Sequence, residues 1–256
     1  MWSEERRRLI VEKLREQQGM AAEGLAEAMG VSRETVRRDL LALEASGVLR
    51  RVHGGAVLTA EMRAEPPMAR RLQLHRAEKE AIARATVKLL RPGQTCFIDA
   101  GSTTALLAAE LCRMEGLTIL TNAPDVARTL HTAGARHEVM LLGGWLRPDI
   151  PGLVGETTMA EILRFTADVA LVAPMALHPA EGATNHLVPE AEIARLMIRR
   201  SNRAIAMVVG AKLGQIGRAQ ICPCRDIHTL VTEAGTPADA AQWREAGIAE
   251  LVFADR

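Results

Sequence analysis

GVSRETVRRDLLAL, residues 30–43, decides how the amino-terminal part of this chain folds. Gly30 suits the left-handed residue that ends a helix. Ser32 is a good cap for the next one. Val31 and Val36 stand at the two positions of a hydrophobic staple, which fixes the angle between the helices. Val36, Leu40 and Leu43 recur at i, i+4, i+7 and share one buried face. Arg33, Glu34, Arg37 and Arg38 fall on the rest of the circumference. A short helix with a pinned entry, one apolar stripe and arginines on its open face suits the major groove of DNA. Arginine there reads guanine in bidentate fashion and neutralises phosphates. On this stretch alone an ordinary solvated surface helix remains an equal reading, and the flanks decide.

Working outward, residues 4–17 read as a helix with Leu9, Ile10 and Leu14 inward. Residues 21–29 read as a second, short helix with Leu25, Ala28 and Met29 inward, and Gly24 inside it costs about 1 kcal/mol of propensity. The third covers 33–45 and stops at Gly47. VLRRVHGGAVL, residues 48–58, alternates apolar and polar residues around Gly54-Gly55, a β-hairpin signal. Three helices and a hairpin make a winged helix-turn-helix. The second helix braces the third in the groove, and the hairpin lies against adjacent backbone or minor groove. Arg50, Arg51 and His53 add positive charge on the wing. Residues 33–51 hold five arginines against Glu34, Asp39 and Glu44, a local net of +2. The expected DNA-binding set is Ser32, Arg33, Glu34, Thr35, Arg37, Arg38, Arg50, Arg51, His53, Gly54 and Gly55.

The totals narrow the classes. The 256 residues allow a small and a medium domain. An apolar fraction of 48% is normal for a chain with a real core. Aromatics make up 2% and Tyr is absent, which argues against stacking of exposed bases on aromatic platforms. A net charge of +1 confines any nucleic-acid surface to a local cluster. No apolar run approaches twenty residues, and MWSEERRRLI is not a secretory leader, so a cytoplasmic protein is expected. Cys96, Cys112, Cys222 and Cys224 fit reduced thiols, with no histidine pair at metal spacing. Neither metal nor cofactor is expected.

Residues 59–75 contain Pro66-Pro67 and no clean period, and read as a linker. From residue 76 to 256, apolar runs with β character alternate with helical stretches. The pattern means βαβ units and a mostly parallel sheet. Ligands of such sheets collect at the carboxyl ends of the strands. Asp99-Ala100-Gly101-Ser102-Thr103-Thr104 follows TCFI and opens a helix, whose free N–H groups and hydroxyls suit an anion. Thr121-Asn122 follows LTIL, Gly143-Gly144 follows EVMLL, and Gly210-Ala211-Lys212 follows AIAMVV. Each alone fits ordinary capping or turn formation. Together they describe a pocket for a small anionic, hydroxylated ligand.

The chain resembles the DeoR family of bacterial transcriptional regulators. RRRLIVEKL near the start and GLAEAMGVSRETVRRDLLALEASGVLRRVHGGAV carry the match in the first part. DAGSTT, TNAPDVARTL, LLGGWLRPDIPGLVG, PEAEIARLMIRRS and GAKLG carry it in the second. The resemblance implies a second domain similar to sugar-phosphate isomerases that senses a phosphorylated sugar or related metabolite. Two departures stand out. The family's common Asp-x-Ser-Lys is Val209-Gly210-Ala211-Lys212 here, so the lysine stays without the acid and hydroxyl. The family's glycine-rich loop is residues 173–189 here, bringing His178, Glu181, Thr184, Asn185 and His186 towards the pocket mouth. His178 reads as surface, whereas Asn185 and His186 read as specificity groups. The expected effector set is Asp99, Gly101, Ser102, Thr103, Thr104, Thr121, Asn122, Gly143, Gly144, Asn185, His186, Glu192 and Lys212.

The expectation is therefore an α/β chain of three parts: a winged helix-turn-helix over 1–58, a linker over 59–75 and an effector-sensing domain over 76–256. Its partners are duplex operator DNA, a phosphorylated sugar or related anion and, since one small head reads little sequence, further copies of itself. Repressor action is the main reading, with no catalytic residue. A sugar-phosphate isomerase with an appended DNA-binding module is the alternative, with Asp99 and Glu192 as available bases. A second domain of purely structural role is the third.

Overall fold

The computed structural model describes residues 2–17, 19–46, 48–52, 54–58, 66–235 and 240–255. Gly47, His53 and residues 59–65 of the expected linker lie outside the described residues. Two units are present, Met1–Glu65 and Pro66–Arg256.

In the first unit the order is α1 (Ser3–Gln17), β1 (Met20–Ala21), α2 (Ala22–Met29), α3 (Arg33–Ala45), β2 (Leu49–Val52) and β3 (Gly55–Leu58). Gly30 closes α2 at φ 62°, ψ 35°, the left-handed cap its sequence asks for. Ser32 caps α3, its hydroxyl accepting from the Thr35 N–H at 3.2 Å. Val31 and Val36 meet in one cluster with Ile10, Leu14, Leu25, Leu40 and Leu49, which is the staple.

Two inward assignments shift. Ala28 is exposed, and Ala26 is buried in its place. The inward stripe of α2 is Ala22, Leu25, Ala26 and Met29, and Ala28 falls off it at about 100° per residue. In α1, Val11 joins Ile10 and Leu14 against the core, while Leu9 is half-buried outside the cluster. Strand β1 is too short to show an alternation in sequence. It pairs antiparallel with β3, Met20 opposite Ala56 and Ala21 opposite Gly55. That pairing explains Gly55, since a Cβ there would come within 2.3 Å of the Met20 carbonyl oxygen. Val52 faces Gly55 across the wing, and Gly54 turns the chain at φ 81°.

The second unit begins with α4 (Met68–Arg71) and α5 (Arg76–Val87), so residues 66–75 fold with this unit and are not free linker. Then come β4 (Thr95–Ile98), α6 (Ser102–Leu111), β5 (Thr118–Thr121), α7 (Pro124–Thr132), β6 (Glu138–Leu141), β7 (Trp145–Arg147), β8 (Ile150–Val154) and α8 (Glu156–Leu163). The chain continues through β9 (Ala167–Val172), β10 (Ala176–His178), β11 (Gly182–Asn185), α9 (Val188–Arg199), β12 (Ser201–Met207) and β13 (Ala219–Cys222). It ends with β14 (Thr229–Glu233), α10 (Ala240–Glu245) and β15 (Glu250–Ala254).

Seven strands form one sheet in the order β15-β14-β12-β9-β4-β5-β6, with every pair parallel. Alternate residues fill two cores. Phe97, Ala170, Val172 and Ala206 face one layer with Ile193 and Met197 of α9. Cys96, Ile98, Val169, Leu171 and Met207 face the other with Ile82 of α5 and Leu107 of α6. Both faces are covered, as an all-parallel sheet requires. Two antiparallel additions lie outside the expected pattern, the β7–β8 pair and the β10-β11-β13 sheet. They turn much of the expected 173–189 loop into strand. Among the described residues no helix is long and apolar enough to cross a membrane.

Candidate nucleic-acid interface and effector site

Helix α3 is fastened by one face and open on the other. On the inner side Asp39, 2% exposed, accepts from Arg6 Nε at 2.5 Å and Arg7 Nε at 3.0 Å. These two arginines of α1 compensate a carboxylate that burial alone would penalise heavily. On the outer side Arg33, Glu34, Arg37 and Arg38 are exposed. Arg33 pairs with Glu23, and Arg38 Nε lies 3.7 Å from Glu34. Both are solvent-exposed pairs, which hold weakly and yield to a phosphate. Among the described residues nothing pairs with Arg37.

Between α3 and the wing runs a groove of about 560 Å³ lined by Ala22, Arg33, Arg37, Leu40, Arg51, Val52, Gly54 and Gly55. Of the residues expected to meet DNA, the groove gathers Arg33, Arg37, Arg51, Gly54 and Gly55. Ser32 and Thr35 are engaged in the helix cap, with their hydroxyls 2.8 Å apart. Arg50 and Arg38 are exposed outside the groove lining. Arg51 is partly committed: its N–H and Nε donate to the two Glu44 oxygens at 2.9 and 2.8 Å. The backbone N–H of Arg51, then its side chain, holds the Glu44 carboxyl below its ordinary pKa.

In the second unit the strand order reverses about β4. The chain steps from β4 to β5 and β6 on one side, then returns to β9 on the other. Such a switch point opens a crevice at the carboxyl ends of the strands. The Asp99 N–H donates to Leu171 O at 3.1 Å and holds the two strand ends together there. The first intrahelical bond of α6 runs from Ala105 N–H to Gly101 O, so the helix offers no acceptor to the N–H groups of Ser102, Thr103 and Thr104. Gly101 has an extended backbone, and an added Cβ would make only ordinary contacts. The fold itself thus does not demand glycine at that position.

Lys79 is the residue the sequence reading missed. It is 3% exposed, and its Nζ donates to Ser102 Oγ at 3.0 Å and to Arg71 O at 2.5 Å. The signal was present: Lys79, Ile82, Ala83 and Thr86 share the inward stripe of α5, and a lysine on such a stripe is expensive without a purpose. Beside it Thr104 Oγ1 donates to Gly101 O at 3.0 Å, and Asp99 accepts from Ala100 N–H at 2.8 Å.

At the next strand end Thr121 ties β4 to β5, donating to Ile98 O at 2.7 Å and accepting from Ala123 N–H at 3.0 Å. Asn122 is 2% exposed. Its Nδ2 donates to Leu153 O at 3.0 Å and its main-chain oxygen accepts from Leu153 N–H at 2.7 Å, which seats β8 over the crevice. Asn122 Oδ1 is buried without a donor. Such an orphan acceptor costs about 1–3 kcal/mol and marks a place for a donor from water or ligand.

Other members of the expected effector set have internal duties. The Gly143 N–H donates to Glu161 Oε2 at 2.5 Å and its carbonyl accepts from Thr158 Oγ1 at 2.6 Å. Gly144, at φ 148°, has no room for a Cβ because Thr158 Oγ1 would lie 2.0 Å away. Glu192 accepts from Arg195 Nη1 at 2.5 Å, and Arg195 also donates to Ile221 O and Gln220 O. Arg195 therefore anchors α9 to β13, and Glu192 braces it. Lys212 ends the 3-10 turn Gly210–Lys212, which Glu233 holds by accepting twice from the Gly210 N–H. Asn185 Oδ1 accepts from His186 N–H at 2.8 Å, and His178 Nδ1 accepts from Ala180 N–H at 3.2 Å. These are local turn contacts. Among the described residues no cluster of three His, Cys, Asp or Glu side chains has metal-binding geometry.

Comparison with known proteins follows the same division. Residues 6–61 match the DeoR-like helix-turn-helix domain, and residues 74–234 match the DeoR C terminal sensor domain. The HTH-type transcriptional regulator GlpR of Haloferax volcanii is 32% identical over 238 residues, 93% of this chain and 92% of that protein. The putative aga operon transcriptional repressor of Escherichia coli O157:H7 is 28% identical over 254 residues, 98% of this chain and 94% of that protein. Among solved structures, ribose 5 phosphate isomerase A from Neisseria gonorrhoeae overlaps with a TM-score of 0.40 and 12% identity, over 53% of this chain and 52% of that one. With both domain models matched and relatives aligned over nearly its whole length, the chain belongs to the DeoR family of transcriptional regulators.

Proposed function

We propose that this chain represses transcription by binding operator DNA, and that a phosphorylated sugar or a related anionic metabolite controls that binding. The observation that carries the DNA half is Arg37. It stands in a groove between α3 and the wing with Arg33 and Arg51, while the opposite face of the same helix is locked by Asp39 onto Arg6 and Arg7. A rigid back and open guanidiniums are what base reading and phosphate contact require.

The effector half rests on the α6 N-terminus with Ser102, Thr103 and Thr104, on the buried Lys79 cation beside it, and on the Asn122 acceptor one strand away. Free N–H groups and an ammonium suit a phosphate. An orphan carbonyl suits a hydroxyl. Asp99, Gly101, Asn185, His186 and Lys212 complete the site in this reading. Thr121, Gly143, Gly144 and Glu192 act there through the fold, as ties between elements. The working division is a reading head over 1–58 and a sensing domain over 76–256, acting as a homo-oligomer in the cytoplasm. Catalysis is not part of the proposal, because Glu192 is engaged by Arg195 and Asp99 is buried against its own loop.

The test is a panel of triose, pentose and hexose phosphates read out two ways, by melting temperature and by release of operator fragments. A binding metabolite should stabilise by RT ln(1 + [L]/Kd), about 2.7 kcal/mol at a hundredfold excess over Kd. It must also change operator affinity, since a ligand that favours neither conformation shifts nothing. Melting shifts with no effect on operator binding would separate a ligand site from a control site. Following the same sugar phosphates by NMR for isomer formation tests the enzyme alternative.

A further inference from the structure

Strand β6 closes one end of the seven-stranded sheet, and among the described residues no strand pairs with its outer edge. Edge strands are normally blunted by charge, proline or a bulge. β6 pairs with β5 in unbroken register, from Thr118 opposite Glu138 to Thr121 opposite Leu141. From Val139 to Leu146 the chain reads VMLLGGWL, with neither a charge nor a proline. Met140 is 37% exposed, Leu141 43%, Trp145 71% and Leu146 72%. Together these four side chains expose on the order of 400 Å² of apolar surface, with Met140 and Leu141 flanking the strand edge on opposite faces of the sheet.

The main chain fixes which groups face outward. The Glu138 N–H donates to Leu117 O at 2.9 Å, and the Leu142 N–H to Thr121 O at 2.8 Å, both towards β5. By strand alternation the N–H and C=O groups of Val139 and Leu141 point to the open edge. Two outward residues flanking one inward residue form a self-complementary edge.

We propose that β6 pairs antiparallel with β6 of a second copy of this chain, about a two-fold axis at Met140. Val139 of each copy then faces Leu141 of the other, and each such pair exchanges both N–H···O=C bonds. Met140 faces its own counterpart as the close, non-hydrogen-bonded pair. Glu138 falls opposite Leu142, so no like charges meet. This is an isologous contact, closed by one two-fold axis. The exposed apolar surface of these side chains is about half of the ~800 Å² per partner that a standard interface buries. The strand backbones supply further area. The proposal rests on the sheet alone and stands whether or not the effector reading holds.

Sedimentation velocity of the full chain at micromolar concentration tests it. The wild type associates. Leu141→Lys, which places a charge on an already exposed position, weakens the association by about a hundredfold or more while circular dichroism stays as in the wild type and melting matches it once both are diluted below the wild-type dissociation constant. A second measurement guards against a variant that misfolds. In a Cys112→Ser background, Met140→Cys places two thiols across the axis with Cα atoms about 4.5 Å apart, within disulfide range. Mild oxidation then links copies, and Leu163→Cys, exposed elsewhere on the unit, links far more slowly. A monomeric wild type overturns the proposal, and is the outcome expected if the edge serves a strand from another protein. Leu141→Lys sedimenting as the wild type overturns it as well, as does Met140→Cys crosslinking no faster than Leu163→Cys.

Discussion

Lys79 Nζ lies 3.0 Å from Ser102 Oγ, so a buried cation touches the first residue of the helix whose N-terminus is the proposed anion site. The same ammonium donates to the Arg71 carbonyl in α4. A phosphate arriving at α6 would draw the ammonium towards itself, because it offers a full opposite charge where Ser102 and Arg71 offer neutral oxygens. Lys79→Met keeps the length of the side chain and removes the charge. The expected outcome is loss of the metabolite-induced melting shift with operator affinity retained. The change in intrinsic stability should stay within about 2 kcal/mol, since the lost hydrogen bonds are offset by the removal of a buried charge. A variant that responds to the metabolite like the wild type removes Lys79 from the site.

Arg37 and Arg51 share a groove and differ in their freedom. Arg51 is held by Glu44, and among the described residues Arg37 has no partner. Arg37→Ala should therefore weaken operator binding by about 1–3 kcal/mol. Arg51→Ala should cost less, because its guanidinium must leave Glu44 before it meets DNA. Shift assays across a salt series distinguish the two roles a free arginine can take. If Arg37 contacts only phosphate, the loss is the same on all sequences and the salt slope falls by about one. If it reads a base, the loss is confined to operator sequence. Equal losses for Arg37→Ala and Arg51→Ala would contradict the geometry.

Most of the first unit was legible because its signals are local. Gly30, Ser32 and the Val31–Val36 staple lie within seven residues, and their geometry depends on little else. Strand β1 was not legible, since two residues carry no period and its reality depends on Gly55 thirty-four positions away. The parallel sheet of the second unit follows from alternation of strand and helix, whereas its strand order does not. The β7–β8 and β10-β11-β13 additions do not, because their strands are three to five residues long and owe their pairing to distant segments. The candidate site divides in the same way. The helix N-terminus at Ser102 can be read from one string. The hold of Arg195 on the Gln220 and Ile221 carbonyls, and of Glu161 on Gly143, appears only once β13 and α8 are in place.

Asp39 on α3 faces away from the groove and should matter all the same. Asp39→Ala leaves Arg6 and Arg7 without their carboxylate at a site where Asp39 is 2% exposed. Both arginines keep some solvent, Arg6 at 14% and Arg7 at 43%, so the cost is expected below the 3–5 kcal/mol of a fully buried pair, about 2 kcal/mol. Chemical unfolding followed by circular dichroism measures it. Operator affinity should fall because α3 is no longer pinned, yet the salt slope should be unchanged, since no phosphate contact is lost. A changed salt slope would place Asp39 in the interface and not behind it.

The thiols give a pH prediction with a definite sign. Burial pushes Cys96 and Cys222 up to about 12 and Cys224 up to about 11, from an ordinary value of 9.0. Nearby Asp168 adds to the effect at Cys96, as does Asp226 at Cys222. Cys112 is raised as well, by a milder burial. A thiol whose folded pKa lies above its unfolded value holds its proton in the native state. Its contribution to stability is complete below pH 9 and is lost as pH climbs from there towards 12. Alkaline unfolding should therefore begin above pH 9 and be eased by Cys96→Ala less than the lost packing would suggest, because that variant also removes the titrating group. The reactivity order follows from the same physics. The thiolate is the nucleophile. At pH 8 a thiol-specific reagent should label Cys112 first, while Cys96, Cys222 and Cys224 wait for denaturant. Labelling of all four at one rate in the native protein would mean that these sulfurs are not buried as the structure has them.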